Sequence, residues 1–542
     1  MSTEKTKEDM RVDPSPASSA RSLTGRAISR RQALGLAGGA LAGVAAFASM
    51  PKAAGAARVE SSSAVLESRA DVPPPLTHYD QGKFGRLFPR LPAFASDSPE
   101  VRNNLLELGK RGGIMDAGDA PPPANPLTPN PNNPDNPDHT AGITFLGQFL
   151  DHDVTFDPTS SLLSQVDPTT VPNFRTPAFE LDHVYGAGRR ASPHLYDQTS
   201  PDGIKLLIDE EAPKDLPRNS QNIAIIGDPR NDENLIVSQL HLAFLKFHNA
   251  VVDEVLDGGA TNPSAVFDEA QRLVRWHYQW IILNEFLPAT VGQELVNDVL
   301  KKRRFYKPRG EPFIPVEFSV AAYRFGHSQV RPGYIANFSG DNSQPFLKHI
   351  FDINADHDGP DPDDLSGGKR APRRFVDWQT FFDVGPTPPG HENLGASPKP
   401  NKRIDAKLSS PLFELPFGPP NDPQTLAQRN LLRHLTFSLP SGQRVAKEMK
   451  FDPLIRNDLS DLQPLGFDRE TPLWFYVLKE AELKAEGKTL GPLGGRIIAE
   501  VFVGLLQADP NSYLQKDPSW KPTLGQSRDF EMSDLLRFAG VA

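Results

Sequence analysis

The sequence has no cysteine among its 542 residues. That absence excludes disulfides, thiolate nucleophiles, iron–sulfur clusters, cysteine-ligated zinc and thiolate-ligated haem together. Any metal chemistry must run on histidine, aspartate and glutamate. Net positive charge is missing too: the formal net charge is -10, and no basic run stands out beyond Lys301-Lys302-Arg303-Arg304. A nucleic-acid partner calls for a basic face, so none is expected. The weakly apolar run ending at Ala48 is short and rich in glycine and alanine, so no stable membrane span is expected from it. What is abundant is proline, at 54 residues, which predicts many long, rigid connections. Apolar content of 38% and charged content of 23% suit a globular protein with a large core. The length fits three or four domains, or one large helical domain.

Residues 1–57 read as an export signal. A paired arginine in Ser29-Arg30-Arg31-Gln32 precedes the apolar run, and the small residues Ala53 to Ala57 offer a cleavage site. This is the twin-arginine pattern, which predicts the twin-arginine machinery as a partner of the precursor and a periplasmic or extracellular destination. Residues 58–140 read as a linker and an N-terminal arm, with an aromatic stretch from His78 to Pro92 set to lie across the body. Between Ala120 and Asp138 the Pro, Asn and Asp content predicts a loop without helix or strand. The main helical domain is expected over 141–542.

Five stretches of that domain carry chemistry. In Thr144 to Phe156, Gln148 and His152 lie one helical turn apart on one face, flanked by Asp151 and Asp153. Four polar groups in an apolar helix each need a partner, or burial costs free energy. In Arg175 to Gly186, the oxygens of Thr176, Glu180 and Asp182 are spaced to surround a hard cation such as calcium, with Asp153 as a further ligand; an ordinary turn is the alternative. In Gly227 to Asn234, Asp228 as N-cap and Pro229 at the first position start a helix that continues through Ile236, Leu240, Phe244, Phe247, Val251 and Val255. Arg230 and Glu233 share a face at its beginning, as an intrahelical ion pair also would. In Ala321 to Ser328, Gly326 before His327 lets the ring meet a flat ligand, against the alternative of a satisfied core histidine. In Leu426 to Ala446, a helix, a turn and a helix carry Asn430, which is suited to accept the ring N–H of a ligating histidine. The helix from about Ser264 to Pro288 reads as core, with His277 structural.

Taken in order, these motifs resemble the haem peroxidases of the peroxidase-cyclooxygenase superfamily, the animal-type group with bacterial relatives, from about Tyr79 to the late helices. The resemblance implies a mainly-α fold, one large helical domain with long Pro-rich loops and little β. It implies haem b and Ca2+ as cofactors, and hydrogen peroxide and a small reducing substrate as partners. It makes His152 the distal histidine, Arg230 the distal arginine and Gln148 the distal glutamine. His327 becomes the iron ligand and Asn430 its hydrogen-bond partner, with Arg324 and Arg433 as further cofactor contacts. Asp153, Thr176, Ala178, Glu180 and Asp182 match the calcium loop, and Asp151 and Glu233 stand where the family forms ester bonds to haem. Glu180 and Asp182 add one negative charge to the usual calcium set, and Asn234 replaces the methionine of a sulfonium link. Two other readings remain. One is a fatty-acid dioxygenase, whose radical tyrosine stands three residues before the iron ligand; here that position is Arg324, with Tyr323 turned about 100° away on an ideal helix. The other is a non-catalytic helical protein that binds calcium or haem.

Overall fold

Apolar residues recur at every third or fourth position from Leu235 to Val252, and this stretch becomes a long buried helix packed against its neighbours on several sides. The structure, a computed structural model, describes residues 82–157, 161–210, 214–340, 343–368, 371–395, 397–416, 422–525 and 529–542. The expected export signal and the linker up to residue 81 lie outside them. The principal helices are α1 (Pro99–Leu108), α2 (Gly142–Val154), α3 (Leu235–Asp257), α4 (Pro263–Ile281), α5 (Leu426–Thr436), α6 (Leu473–Lys484), α7 (Pro492–Ala508) and α8 (Met532–Phe538). Helix outweighs strand, 44% to 8%, so the fold is mainly α.

Local signals explain the helix starts. Ser98, Asn234 and Asn262 each accept a backbone N–H three residues on, at the heads of α1, α3 and α4. Each such cap is worth about 1 kcal/mol. Packing does the rest: Phe149 of α2 stacks on Phe244 of α3 at 4.6 Å, and Tyr278 of α4 meets the same ring edge-on at 5.7 Å. One apolar cluster runs without a break from Phe84 to Ala539. α3 is long and apolar enough to cross a membrane, but 83% of that apolar window is buried by its neighbours, as a core helix requires.

Short ribbons staple the loops. β1 (Gly82–Gly85) lies between β3 (Pro172–Asn173), antiparallel, and β4 (Ile314–Pro315), parallel. β2 (Asp135–Thr140) pairs with β7 (Pro400–Lys402), and β5 (Gly333–Asn337) with β6 (Phe346–His349). Beyond β1, the arm is fixed by Leu87 and Phe88, whose N–H groups donate to the Glu317 carboxylate at 2.9 and 3.0 Å.

Three local expectations fail. β2 falls within the stretch expected to exclude strands; its Pro137 sits where the register shifts, the one place in a ribbon where a missing N–H costs little. Asp228 caps only a short 3-10 turn, Pro229–Asp232, because Asn234 takes extended geometry (φ -134°, ψ 155°) to cap α3 separately. The His327 segment is no ideal helix either. A π-turn (Glu317–Ala321) passes into a 3-10 turn (Ala322–Phe325) and then an α-turn (Gly326–Gln329). Ideal-helix angles therefore do not apply to it, and Tyr323 faces the same side as Arg324 and His327.

Candidate active site

One face of α2 carries Thr144, Gly147, Gln148 and Asp151, at the spacings that align residues on a helix. These four border a cavity whose other wall is Ser319, Tyr323, Arg324, Phe325, Gly326 and His327. Asp151, Ser319 and Arg324 also border a second void, together with Thr155, Asp157, Arg230 and Phe437. His152 is fully buried one turn beyond Gln148 and borders neither void. Its Nδ1 lies 2.7 Å from Asn231 Oδ1, and its Nε2 has no hydrogen-bond partner among the described residues. Burial, aided by the Arg230 charge, holds this imidazole well below its ordinary pKa, so it is a neutral base with an uncommitted nitrogen. Gln148 Nε2 is likewise unpartnered, while its Oε1 accepts from Asn234 at 3.1 Å.

Arg230 does not pair with Glu233. Its Nε and Nη2 grip Asp228 at 3.0 and 2.8 Å, Nη2 also donates to the His152 carbonyl at 3.1 Å, and the guanidinium lies 4.4 Å above the Phe156 ring. Burial alone would raise the Asp228 pKa, but Arg175 and Arg230 together hold it well below the carboxylate range. Asp228→Asn removes the countercharge of the buried Arg230 guanidinium and the part-buried Arg175 guanidinium, and an expected loss of about 3–5 kcal/mol should appear in urea unfolding.

Across the cavity, His327 Nδ1 lies 2.7 Å from Asn430 Nδ2, and Arg324 Nη1 donates to Asn430 Oδ1 at 2.7 Å. A guanidinium can only donate, so Arg324 sets the sense of that amide. Burial lowers the pKa of Arg324 to about 10 and of Arg433 to about 9. Arg433 and Glu233 are buried and border neither void; Asp151 borders both, and burial raises its pKa.

Behind α2, carboxylates converge. Asp153 accepts from the N–H groups of Leu181 and Asp182, each at 3.1 Å, and from the Tyr278 hydroxyl at 3.0 Å, and it lies 3.0 Å from His183 Nδ1. Ligand atoms of Asp153, Asp182 and His183 all lie within 4.8 Å of one another. Burial raises the pKa of Asp153, Asp182 and Glu180, the last to about 8. Asp182 Oδ1 is buried without a hydrogen bond among the described residues and lies 3.6 Å from Arg175 Nε. The Thr176 N–H donates to Asp182 Oδ2 at 3.4 Å, and its carbonyl accepts from Ala178 N at 2.8 Å. Arg175 joins this cluster to the arginine anchor, touching both Asp182 and Asp228.

Sequence reasoning missed Asn231, Arg175, His183 and Tyr278. The only signal for the first three was adjacency to a motif residue, and Tyr278 had none, since it reaches Asp153 across 125 positions.

The family model described as animal haem peroxidase matches residues 164–357, a span that takes in the carboxylate loop, Arg230 and His327. A peroxidasin homologue of Caenorhabditis elegans is 24% identical over 411 residues, 70% of this chain and 29% of its own length. Peroxidasin of Drosophila melanogaster is 22% identical, over 65% of this chain and 24% of its own. The chain thus spans less than a third of either relative. Peroxidase A of Dictyostelium discoideum shares the fold, with TM-score 0.55, 18% identity, and coverage of 81% of this chain and 89% of that one. These comparisons agree in making the chain similar to the animal-type haem peroxidase superfamily. A fatty acid alpha-dioxygenase of Arabidopsis thaliana also shares the fold, at TM-score 0.52 and 15% identity, over 82% of this chain and 76% of its own.

The superfamily implies a haem cofactor. The donor set fits one: an imidazole opens onto the cavity, a second buried imidazole and a glutamine amide hold nitrogens without a hydrogen bond among the described residues on the facing helix, and the guanidiniums of Arg324 and Arg433 are buried. One side chain would have to turn to hold it. Iron ligation through His327 Nε2 leaves the ring proton on Nδ1, so Asn430 must then present its oxygen.

Proposed function

We propose that the chain is an exported haem peroxidase that reduces hydrogen peroxide and oxidises a halide or small aromatic donor. His327 holds the iron, with Asn430 fixing its ring, while Arg324 and Arg433 meet the cofactor's carboxylates. Asp151 and Glu233 are the acids for ester attachment, and Asp153, Thr176, Ala178, Glu180 and Asp182 bind calcium. The haem supplies the redox centre on which the peroxide O–O bond is broken. His152 Nε2 takes the proton from one peroxide oxygen and returns it to the other, which leaves as water. Arg230, held by Asp228, stabilises the negative charge that develops on the departing oxygen. Gln148 Nε2 donates a hydrogen bond to peroxide or to a halide. The observation that carries this reading is the buried Nε2 of His152, without a hydrogen bond among the described residues, on the helix whose Gln148 and Asp151 border the cavity that His327 also borders. The paired arginine and small-residue site of residues 29–57 support export to the periplasm or exterior.

The experiment is the Soret spectrum of purified protein with and without peroxide, followed by turnover across halides, thiocyanate and phenols. A preparation that takes up no haem overturns the proposal in favour of a non-catalytic calcium-binding protein.

A second reading, fatty-acid oxygenation through a tyrosyl radical, draws on Tyr323 at the cavity wall. Its hydroxyl donates to the Gly147 carbonyl at 2.9 Å, and burial raises its pKa far above the ordinary value. A carbonyl is no base for the proton that radical formation must shed, which favours the peroxidase. Tyr323→Phe is accordingly expected to leave peroxide-driven donor oxidation within about twofold, well under the factor that a proton-transfer group supplies. If it instead abolishes linoleate oxygenation by the haem protein, the second reading replaces the first.

A further inference from the structure

Asn231 grips two histidines with one amide. It is fully buried, with Oδ1 2.7 Å from His152 Nδ1 and Nδ2 2.9 Å from His241 Nδ1. An amide has one accepting and one donating end, so two imidazoles held by it cannot carry their protons alike. His152 donates through Nδ1–H and keeps its lone pair on Nε2. His241 accepts at Nδ1 and carries its proton on Nε2. Both Nε2 atoms are buried and unpartnered among the described residues, so no second hydrogen bond competes to set either tautomer. The two histidines sit on different helices, α2 and α3, locked together by the Phe149–Phe244 stack. His241 is further wedged edge-on against Phe149 at 6.2 Å and His183 at 6.1 Å.

We infer that Asn231 is a positioning residue that keeps His152 in the Nδ1–H tautomer, with the other end of its amide held by His241. This rests on the peroxidase reading for its purpose, since only that tautomer presents a lone pair to peroxide, but not for its geometry. Turning the amide over moves both protons at once. His152 would then point an N–H where a base is needed.

Two readouts test it, neither of them turnover. The first is the tautomer of His152, read from long-range proton–nitrogen spectra of histidine-labelled protein in the diamagnetic ferrous carbon-monoxide form, with His152→Gln assigning the signal. The second is the association rate of hydrogen cyanide, followed at the Soret band in mildly alkaline buffer, because this ligand also gives up a proton as it binds. Wild type is expected to show Nδ1–H. Asn231→Leu should mix the tautomers and slow cyanide by about a hundredfold, the low end of what a positioned base contributes. Asn231→Asp, which still accepts from Nδ1–H, should recover most of that loss, and His241→Leu should mix the tautomers with a smaller loss. An Nε2–H signal in wild type, or an Asn231→Leu protein with unchanged tautomer and cyanide rate, overturns the inference. Should Asn231→Leu fail to fold, the wild-type spectrum and His241→Leu decide alone. Protein that takes up no haem defeats the proposed function instead, while its spectrum still reports the tautomer.

Discussion

His152→Ala is expected to slow the reaction of the haem-loaded protein with hydrogen peroxide by about 10²–10⁴-fold, the contribution of a positioned proton-transfer group. Coulombic help from Arg230 survives the change, because its partners are Asp228, the His152 backbone carbonyl and the Phe156 ring, none of which the substitution removes. The loss should therefore fall on proton transfer alone. Haem uptake should persist, since His327, on another segment, is the ligand proposed for iron; His327→Ala should show the reverse, a lost Soret band. Stopped-flow rates normalised to haem content separate the two. The variant also strips the Asn231 Oδ1 of its donor in a dry site, at a cost of about 1–3 kcal/mol in stability. A haem-replete His152→Ala protein that reacts as fast as wild type would remove His152 from the chemistry.

How much of this was legible beforehand depends on the range of the interaction. Gln148, Asp151 and His152 could be placed on one helix because a 3.6-residue period is a local property, and α2 runs over Gly142–Val154 as its apolar content predicts. The end of α3 was visible in its stripe, but its start was not, since Asp228 and Asn234 are both good caps and the winner is decided by which backbone amides each reaches. The angle between Tyr323 and His327 was out of reach for a different reason. A π-turn feeding a 3-10 turn is a response to packing, and nothing in Ala321-Ala322-Tyr323-Arg324 encodes it. Site partners followed the same rule. Asn231 sits beside Arg230 in sequence, yet its contact with His152 spans 79 positions and exists only because α2 and α3 stack.

Calcium should govern stability with a definite dependence on pH. In the metal-free fold, burial raises the pKa of Asp153 and Asp182, and Glu180 reaches about 8. A folded pKa above the unfolded one means the fold binds extra protons, so that part of the stability is intact below the ordinary carboxylate range and is lost as pH climbs toward about 8. Bound calcium would reverse this, because it would take only the ionised set and have to displace those protons. The stabilisation it confers should therefore widen steadily from acid to mildly alkaline pH, approaching about 2.7 kcal/mol once free calcium is a hundredfold above its dissociation constant. The comparison has to be a difference between calcium-loaded and chelated protein at each pH. His152 and His241 are pushed down by burial and destabilise the fold in acid whether or not the metal is bound, so their contribution cancels only in that difference. Glu180→Gln removes one of the three titrating acids and should flatten the curve while weakening calcium binding. A thermal shift on chelation that is absent, or that shrinks as pH rises, would mean that the buried carboxylates are neutral partners of Arg175, Tyr278 and His183 rather than a cation cage.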